Sequence, residues 1–452
     1  MDADLVLRDL KAYVNGAVAE CCLAIKNRKI LKIGKEASMP MAEKTLSLKG
    51  LLVLPGLIDV HVHLRDEGKA YKEDFYSGTA AAAAGGITTV LDMPNNNPVT
   101  MSAETLKNRM KAAEKKVLVN VGFYSEFPQM LQEISQIMKE GAVAFKLFMG
   151  EQVGGLNVED DLAIKEAFIN VGRKTPIAVH AEDKILVKNA EKRLRSEGCN
   201  DVEAFLKAHS EEAEVKAIQR VVAITKKTGT HVHFCHLSSE EGLKAVAEAK
   251  KAGLPVTCEA TPHHLFLSVE DLKRLGGLAL TVPPVREKHH AETLWRGVKA
   301  GLVDLIASDH APHALDEKNA SDIWQVKTGI PGLETTLPLL LNEVNNGRLT
   351  IADIVRLTAE NPARIFHLKD RGSLKEGGRA DFVVVDLKRK HVIEAAKFYS
   401  KAKYSPFNGV SVRGKPVKTF VGGKLVMDDD EIVAEAEAGE IICGEAKHEV
   451  HC

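Results

Sequence analysis

The chain has 452 residues, room for about three domains of roughly 150 residues each, or for one α/β barrel with an appendage. Lys and Arg number 61 against 62 Asp and Glu, so the net charge is -1 and no charge excess points to nucleic acid or an anionic membrane as partner. Apolar residues at 45% and charged residues at 27% exclude a disordered chain, and no apolar run approaches the roughly 18 residues that span a bilayer.

The Cys residues, at 21, 22, 199, 235, 258, 443 and 452, are odd in number and sparse, which fits reduced thiols better than a disulfide framework. The opening MDADLVLRDLK has acids where a secretory signal carries its basic region. A soluble cytoplasmic protein is expected.

In chain order, residues 1–50 alternate in short pieces around turn signals (VNGAV, KNRKILKIG) and read as strands. From residue 50 to about 310 one pattern repeats: a short run rich in Val, Ile and Leu, a polar turn, then a segment of helical composition. The runs fall at 54–64, 87–93, 117–123, 142–149, 176–182, 231–237, 255–261 and 303–310. In the helical segment 102–116, Ser102 stands as cap ahead of Leu106, Met110 and Ala113 at helical spacing. Strands that alternate with helices pair in parallel, and eight such units predict a closed (β/α)8 TIM barrel over 51–374. Further helices are expected at 332–344 and 350–360. The stretch 379–427 returns to strand patterns, with Gly422-Gly423 suited to a hairpin turn. Residues 1–50 and 375–435 are expected to form one small β-sandwich-like domain from both chain ends. The acidic, Ala/Gly-rich tail 436–452 is expected to fray, and a metal site from its Cys443, His448, His451 and Cys452 is not expected.

Chemically distinctive residues fall at the carboxyl ends of the expected strands, where barrel enzymes build their sites. His61 and His63 close the first strand, and an i, i+2 pair in a strand projects to one side and can grip one metal ion. Lys146 lies in the fourth strand, His180 ends the fifth, His236 ends the sixth and Asp309 ends the eighth. These are more ligands than one tetrahedral zinc needs, so two divalent ions are the natural reading. His231 and His233 lie at the start and middle of the sixth strand and are set aside. His289 and His290 read as solvated helix residues.

Lys146 sits among Ala144, Phe145, Leu147 and Phe148, where a bare ammonium suffers a large desolvation penalty unless paired or neutralised. A neutral amine there can add carbon dioxide and become a carbamate that bridges two cations. The bland alternative is a Lys paired with a carboxylate.

DVHVHLRDEG (59–68), GTAAAAAGGITTVLDMPNNNP (78–98), AFKLFMG (144–150), VHAED (179–183), HFCHLSS (233–239), CEATPHHL (258–265), ASDHAPH (307–313) and GIPGLETTLPLLL (329–341) together resemble the amidohydrolase superfamily, and within it the dihydroorotases. The resemblance implies that His61, His63 and Asp309 bind one metal ion, zinc being the first expectation. It also implies that His180 and His236 bind a second, and that N6-carboxylated Lys146 and a hydroxide bridge both. It assigns Arg65, Asn95 and His313 to a substrate carboxylate, and Arg offers the forked donor such a group prefers. Two divalent ions less a carbamate, an aspartate and a hydroxide leave a positive pocket that suits an anion.

The implied activity is reversible hydrolysis of dihydroorotate to carbamoyl-aspartate in pyrimidine synthesis, with Asp309 shuttling the proton. The implied partner beyond the small-molecule substrate is a second copy or an aspartate transcarbamoylase. Rival readings are an allantoinase, a dihydropyrimidinase or a metal-free non-catalytic homologue. The sequence departs from the usual pattern in Asp66-Glu67-Gly68 after HLR, in MPNN, and in Val282 before Pro283-Pro284. In VPPVR the role of Arg286 is open.

Overall fold

A computed structural model describes residues 2–150 and 153–448. Eight short strands follow one another in parallel around a barrel: Leu57–Val62, Ile87–Asp92, Asn120–Glu126, Ala144–Phe148, Ile177–His180, Val232–Phe234, Val256–Ala260 and Leu305–Ile306. Each falls inside or beside one of the eight runs read from the sequence. Their residues are almost all buried, because the barrel wall is covered by side chains inside and by helices outside. A parallel bridge between Val62 and His310 brings the last unit back to the first.

The helix Ala103–Glu114 shows how the connections hold the site loops. Ser102 caps it, accepting from Thr105 N, and Leu106 and Ala113 are buried. Arg109 is buried too, although charged, because it pairs with Asp92 at the end of the second strand and donates to the carbonyl of Asp66. That link pins the loop that carries Arg65. The helix Leu333–Asn345 lies where one was expected, and Ile351–Val355 continues through a wider π turn to Ile365.

Both ends of the chain join a second, mixed nine-stranded sheet. Leu52–Pro55 is its hinge element, parallel to Ala3–Val14 and antiparallel to Phe382–Val392, and the chain passes from it directly into the first barrel strand. Leu23, Ile25, Val53, Phe382 and Phe420 form this sheet's own core, with the rings of Phe382 and Phe420 stacked at 4.6 Å. Gly422 and Gly423 make the hairpin between Ser411–Val421 and Lys424–Asp428 at φ 54° and 74°, where glycine carries no steric cost.

The tail differs from expectation. Ile441–Ile442 adds a strand parallel to Val121–Gly122, and Glu440 is gathered by Arg28, Arg371 and Arg379. Gly439 and Gly444 run against the carbonyls of Val119 and Ala142, where an added Cβ would stand 2.1 and 2.2 Å from the oxygens. The small residues that suggested fraying are what let this segment lie flat under the barrel. His451 and Cys452 fall outside the described residues, as do the contacts of the His448 side chain. The described cysteines are free, and among the described residues no helix is long and apolar enough to cross a membrane.

Candidate active site

A cavity of about 500 Å3 opens at the carboxyl ends of the barrel strands. His61 is the fifth residue of its strand and His63 follows by two, so alternation puts both rings on one side, with centroids 5.4 Å apart. Lys146 is the middle residue of the fourth strand and His180 the last of the fifth. His236 and Asp309 lie just past the sixth and eighth. Arg65, His236 and Asp309 have φ of 62°, 33° and 47°, a region that costs a residue with a side chain about 1–3 kcal/mol and that clusters at functional sites. The cavity wall contains all nine residues assigned from the sequence: His61, His63, Lys146, His180, His236, Asp309, Arg65, Asn95 and His313.

The hydrogen bonds of the imidazoles show which nitrogen each presents. His61 Nδ1 lies 2.5 Å from Glu259 Oε1 and His63 Nδ1 lies 2.7 Å from Asn95 Oδ1, so each ring gives its proton there and keeps a lone pair on Nε2. Those lone pairs face Asp309 Oδ1 at 3.2 and 3.4 Å. His180 Nε2 donates to Glu182 Oε2 at 2.9 Å, which leaves Nδ1 facing His236 Nε2 at 3.1 Å. His236 Nδ1 is buried and without a partner among the described residues.

Lone pair facing lone pair is unfavourable unless a cation or a proton lies between. Two ligands at roughly 2.05 Å from one tetrahedral zinc stand about 3.3 Å apart, so the observed separations fit shared cations. His61, His236 and Asp309 also have ligand atoms mutually within 4.8 Å. Burial, with help from Lys146, Arg65 and His180 respectively, pushes His61, His63 and His236 below the ordinary imidazole range, so each offers a lone pair at neutral pH.

Lys146 is wholly buried. Its Nζ lies 3.0 Å from Cys235 Sγ and 3.4 Å from His61 Nε2, and no carboxylate is within ion-pair distance among the described residues. The bland alternative of a paired Lys is not what surrounds it.

Arg65 lines the same cavity and is buried. Its Nε donates to Pro312 O at 3.3 Å, and again no described carboxylate lies within ion-pair distance. His313 accepts from Lys72 Nζ at 3.0 Å and donates from Nε2 to Thr328 O at 3.0 Å. Burial, Arg65 and Lys72 hold its ring neutral. The Asn95 amide that takes the proton of His63 also lines the cavity.

Several residues here were given no role from the sequence. Glu259 takes His61 on one oxygen and His233 Nε2 on the other at 3.0 Å. Glu182 does the same for His180 and for His209 Nδ1, at 3.0 Å. The signal for Glu182 was its i, i+2 spacing from His180 in VHAED. Lys318 left no signal: its buried Nζ donates to the carbonyls of Lys327 (2.6 Å) and Gly329 (2.8 Å) and holds that stretch of the cavity wall. His231 and His233 share Thr257 Oγ1 and stay outside the cluster, as read. His290 differs: it is buried, accepts from Glu240 N and pairs with Glu211, so only His289 is solvated. In the segment 150–157, Gly150 and Val153 line the cavity and Leu156 is buried, while Gly155 and Asn157 are exposed.

Residues 52–426 match the family model described as "Amidohydrolase family". The chain belongs to the amidohydrolase family. This amidohydrolase is 40% identical over 400 residues to the dihydroorotase of Pyrococcus horikoshii, covering 87% of this chain and 85% of that one. It is 34% identical over 454 residues to the dihydroorotase of Methanosarcina mazei, covering 98% of each. Among solved structures it resembles the L-hydantoinase (dihydropyrimidinase) from Arthrobacter aurescens, with TM-score 0.93 and 30% identity over 98% of this chain and 100% of that one.

Proposed function

We propose that this amidohydrolase is a cytoplasmic dihydroorotase that interconverts dihydroorotate and N-carbamoyl-L-aspartate in pyrimidine synthesis. One observation carries the reading: Arg65, a buried guanidinium without a carboxylate partner among the described residues, lines the same cavity as the histidine cluster, where an anionic ring would supply the missing charge. Identity to two archaeal dihydroorotases over most of both chains supports it.

His61, His63 and Asp309 would hold one divalent ion, His180 and His236 a second, and Lys146, carboxylated on its amine, would join them. The His and carboxylate ligands accept zinc, cobalt or manganese. When bound, the ions supply a water of lowered pKa and a Lewis acid for the ring carbonyl.

The chain's own residues do the rest. Arg65, with Asn95 beside it, binds the exocyclic carboxylate and fixes the ring's orientation. His313 keeps its ring neutral, and through Thr328 it steadies that wall. Asp309 accepts the proton of the attacking water as the carbon–oxygen bond forms. It then delivers that proton to the ring nitrogen as the carbon–nitrogen bond breaks. Closure runs backwards and consumes one proton per dianionic carbamoyl-aspartate, so acid pH favours dihydroorotate and alkaline pH favours hydrolysis.

The rival is a hydantoinase-type enzyme, favoured by the solved neighbour and by Val282, which lines the cavity where dihydroorotases often carry Asn. Turnover of the purified, zinc-supplied protein on dihydroorotate, carbamoyl-aspartate, hydantoin, dihydrouracil and allantoin decides between them. Activity confined to the last three would overturn the dihydroorotase reading. Protein that takes up no metal would revive a non-catalytic homologue.

A further inference from the structure

The two histidine groups are built alike, although different strands supply them. On one side His61, Glu259 and His233 form a chain in which the carboxylate joins two imidazoles. On the other, His180, Glu182 and His209 do the same. Glu182 is 1% exposed, and each of its oxygens meets one ring nitrogen. His209 is fixed in turn: its ring stacks on Phe205 with centroids 4.4 Å apart, and its carbonyl is gripped by Arg286. Arg286 also donates from Nε to Ser238 Oγ at 3.1 Å. The arginine left without a role in VPPVR thus stands at the outer end of this strut.

The strut matters because the inner end has a competing arrangement. His180 Nδ1 and His236 Nε2 are only 3.1 Å apart. If His180 carried its proton on Nδ1, the two rings would hydrogen-bond each other and both lone pairs would be lost to a cation. A carboxylate that claims the proton on Nε2 prevents this, and outer carboxylates of this kind are worth about 10–100-fold in metal affinity. We infer that Glu182, locked by His209, is the positioning residue that holds His180 in the Nε2–H tautomer and so keeps the second cation site open. The inference rests on the reading of His180 and His236 as ligands.

Calorimetric titration of metal-depleted protein with zinc, alongside 15N spectra of its labelled histidines, tests both. Wild-type protein should take up two equivalents and show His180 protonated on Nε2. In Glu182→Gln only one acceptor remains for two donors, so the second equivalent should bind 10–100-fold more weakly and His180 should move to Nδ1–H. The first equivalent should stay within about threefold. His209→Asn, which leaves Glu182 in place but unlocked, should give the same shift in smaller measure, and it serves if Glu182→Gln does not fold. An unchanged second affinity with an unchanged tautomer overturns the strut. Fewer than two equivalents in the wild type overturns the ligand reading instead.

Discussion

His61 Nε2 and Asp309 Oδ1 stand 3.2 Å apart, one from the first barrel strand and the other from just beyond the last, beside the Val62–His310 bridge that closes the barrel. Closure therefore builds half of the site. Asp309→Asn preserves shape but removes both the charge facing the two imidazoles and the proton acceptor. Turnover should fall about 100- to 10,000-fold in both directions, the usual worth of a positioned acid–base group. Steady-state kinetics with metal content measured on the same sample checks this. Near-normal turnover with two equivalents of metal bound would show that another group moves the proton.

Removal of metal should cost stability, because the lone pairs of His61, His63, His180 and His236 then face one another or Asp309 without a cation. Dialysis against a chelator should lower the Tm. Adding zinc back to 100 times its Kd should restore about 2.7 kcal/mol for each site bound only in the folded state. A Tm that ignores both treatments would mean that the cluster holds no ion.

The eight strands, the two chain-end segments and the cavity residues were legible because a buried parallel strand leaves an uninterrupted apolar run and alternation fixes which side His61 and His63 take. The struts behind them were less so. Glu182 and Glu259 belong to quoted strings, yet their partners His209 and His233 come from other elements, and only the fold brings them together. Lys318 and Arg109 left no signal, since nothing local announces the carbonyls or the carboxylate that receive them.

Arg65→Met should separate recognition from chemistry. The substitution keeps bulk but leaves the substrate carboxylate without its forked donor, so KM for dihydroorotate should rise about 100-fold, in line with the loss of roughly 3 kcal/mol from a charged hydrogen-bonded pair. Any residual hydrolysis of hydantoin, which has no such carboxylate, should be unchanged. Equal losses on both substrates would mean that Arg65 serves only to hold the loop at Pro312.

Stability should fall with rising pH through a group outside the cavity lining. Glu334 accepts from Tyr399 N at 2.8 Å and Ser400 N at 3.2 Å, but desolvation, with repulsion from Glu73, pushes its carboxyl up to about 8. The folded chain thus keeps a proton that the unfolded chain releases above about 4.5. The contribution is complete below 4.5 and is lost as pH rises through 8, on the order of 5 kcal/mol in all. Urea midpoints of wild type and Glu334→Gln between pH 5 and 9 isolate it. The difference between the two should change steadily in favour of Gln as pH rises, and parallel curves would show that Glu334 is ionised throughout.

The tail should prove structural and not catalytic. Ile441–Ile442 pairs with the beginning of the third barrel strand, at the end away from the cavity, and Glu440 ties Arg28 of the first chain segment to Arg371 and Arg379 of the last. Deleting residues 436–452 removes that strand, exposes Val119 and Val121 and leaves three arginines crowded without their shared acid. Burial of a few aliphatic side chains is worth about 1.5–3 kcal/mol each, while a partly exposed ion-pair network adds less, so most of the loss should be apolar. Calorimetry should show a Tm lower by several degrees, with kcat at 25 °C within about twofold of the full chain. Glu440→Gln alone should move the Tm far less. Equal effects from the point variant and the deletion would shift the weight from the apolar strand to the arginine cluster.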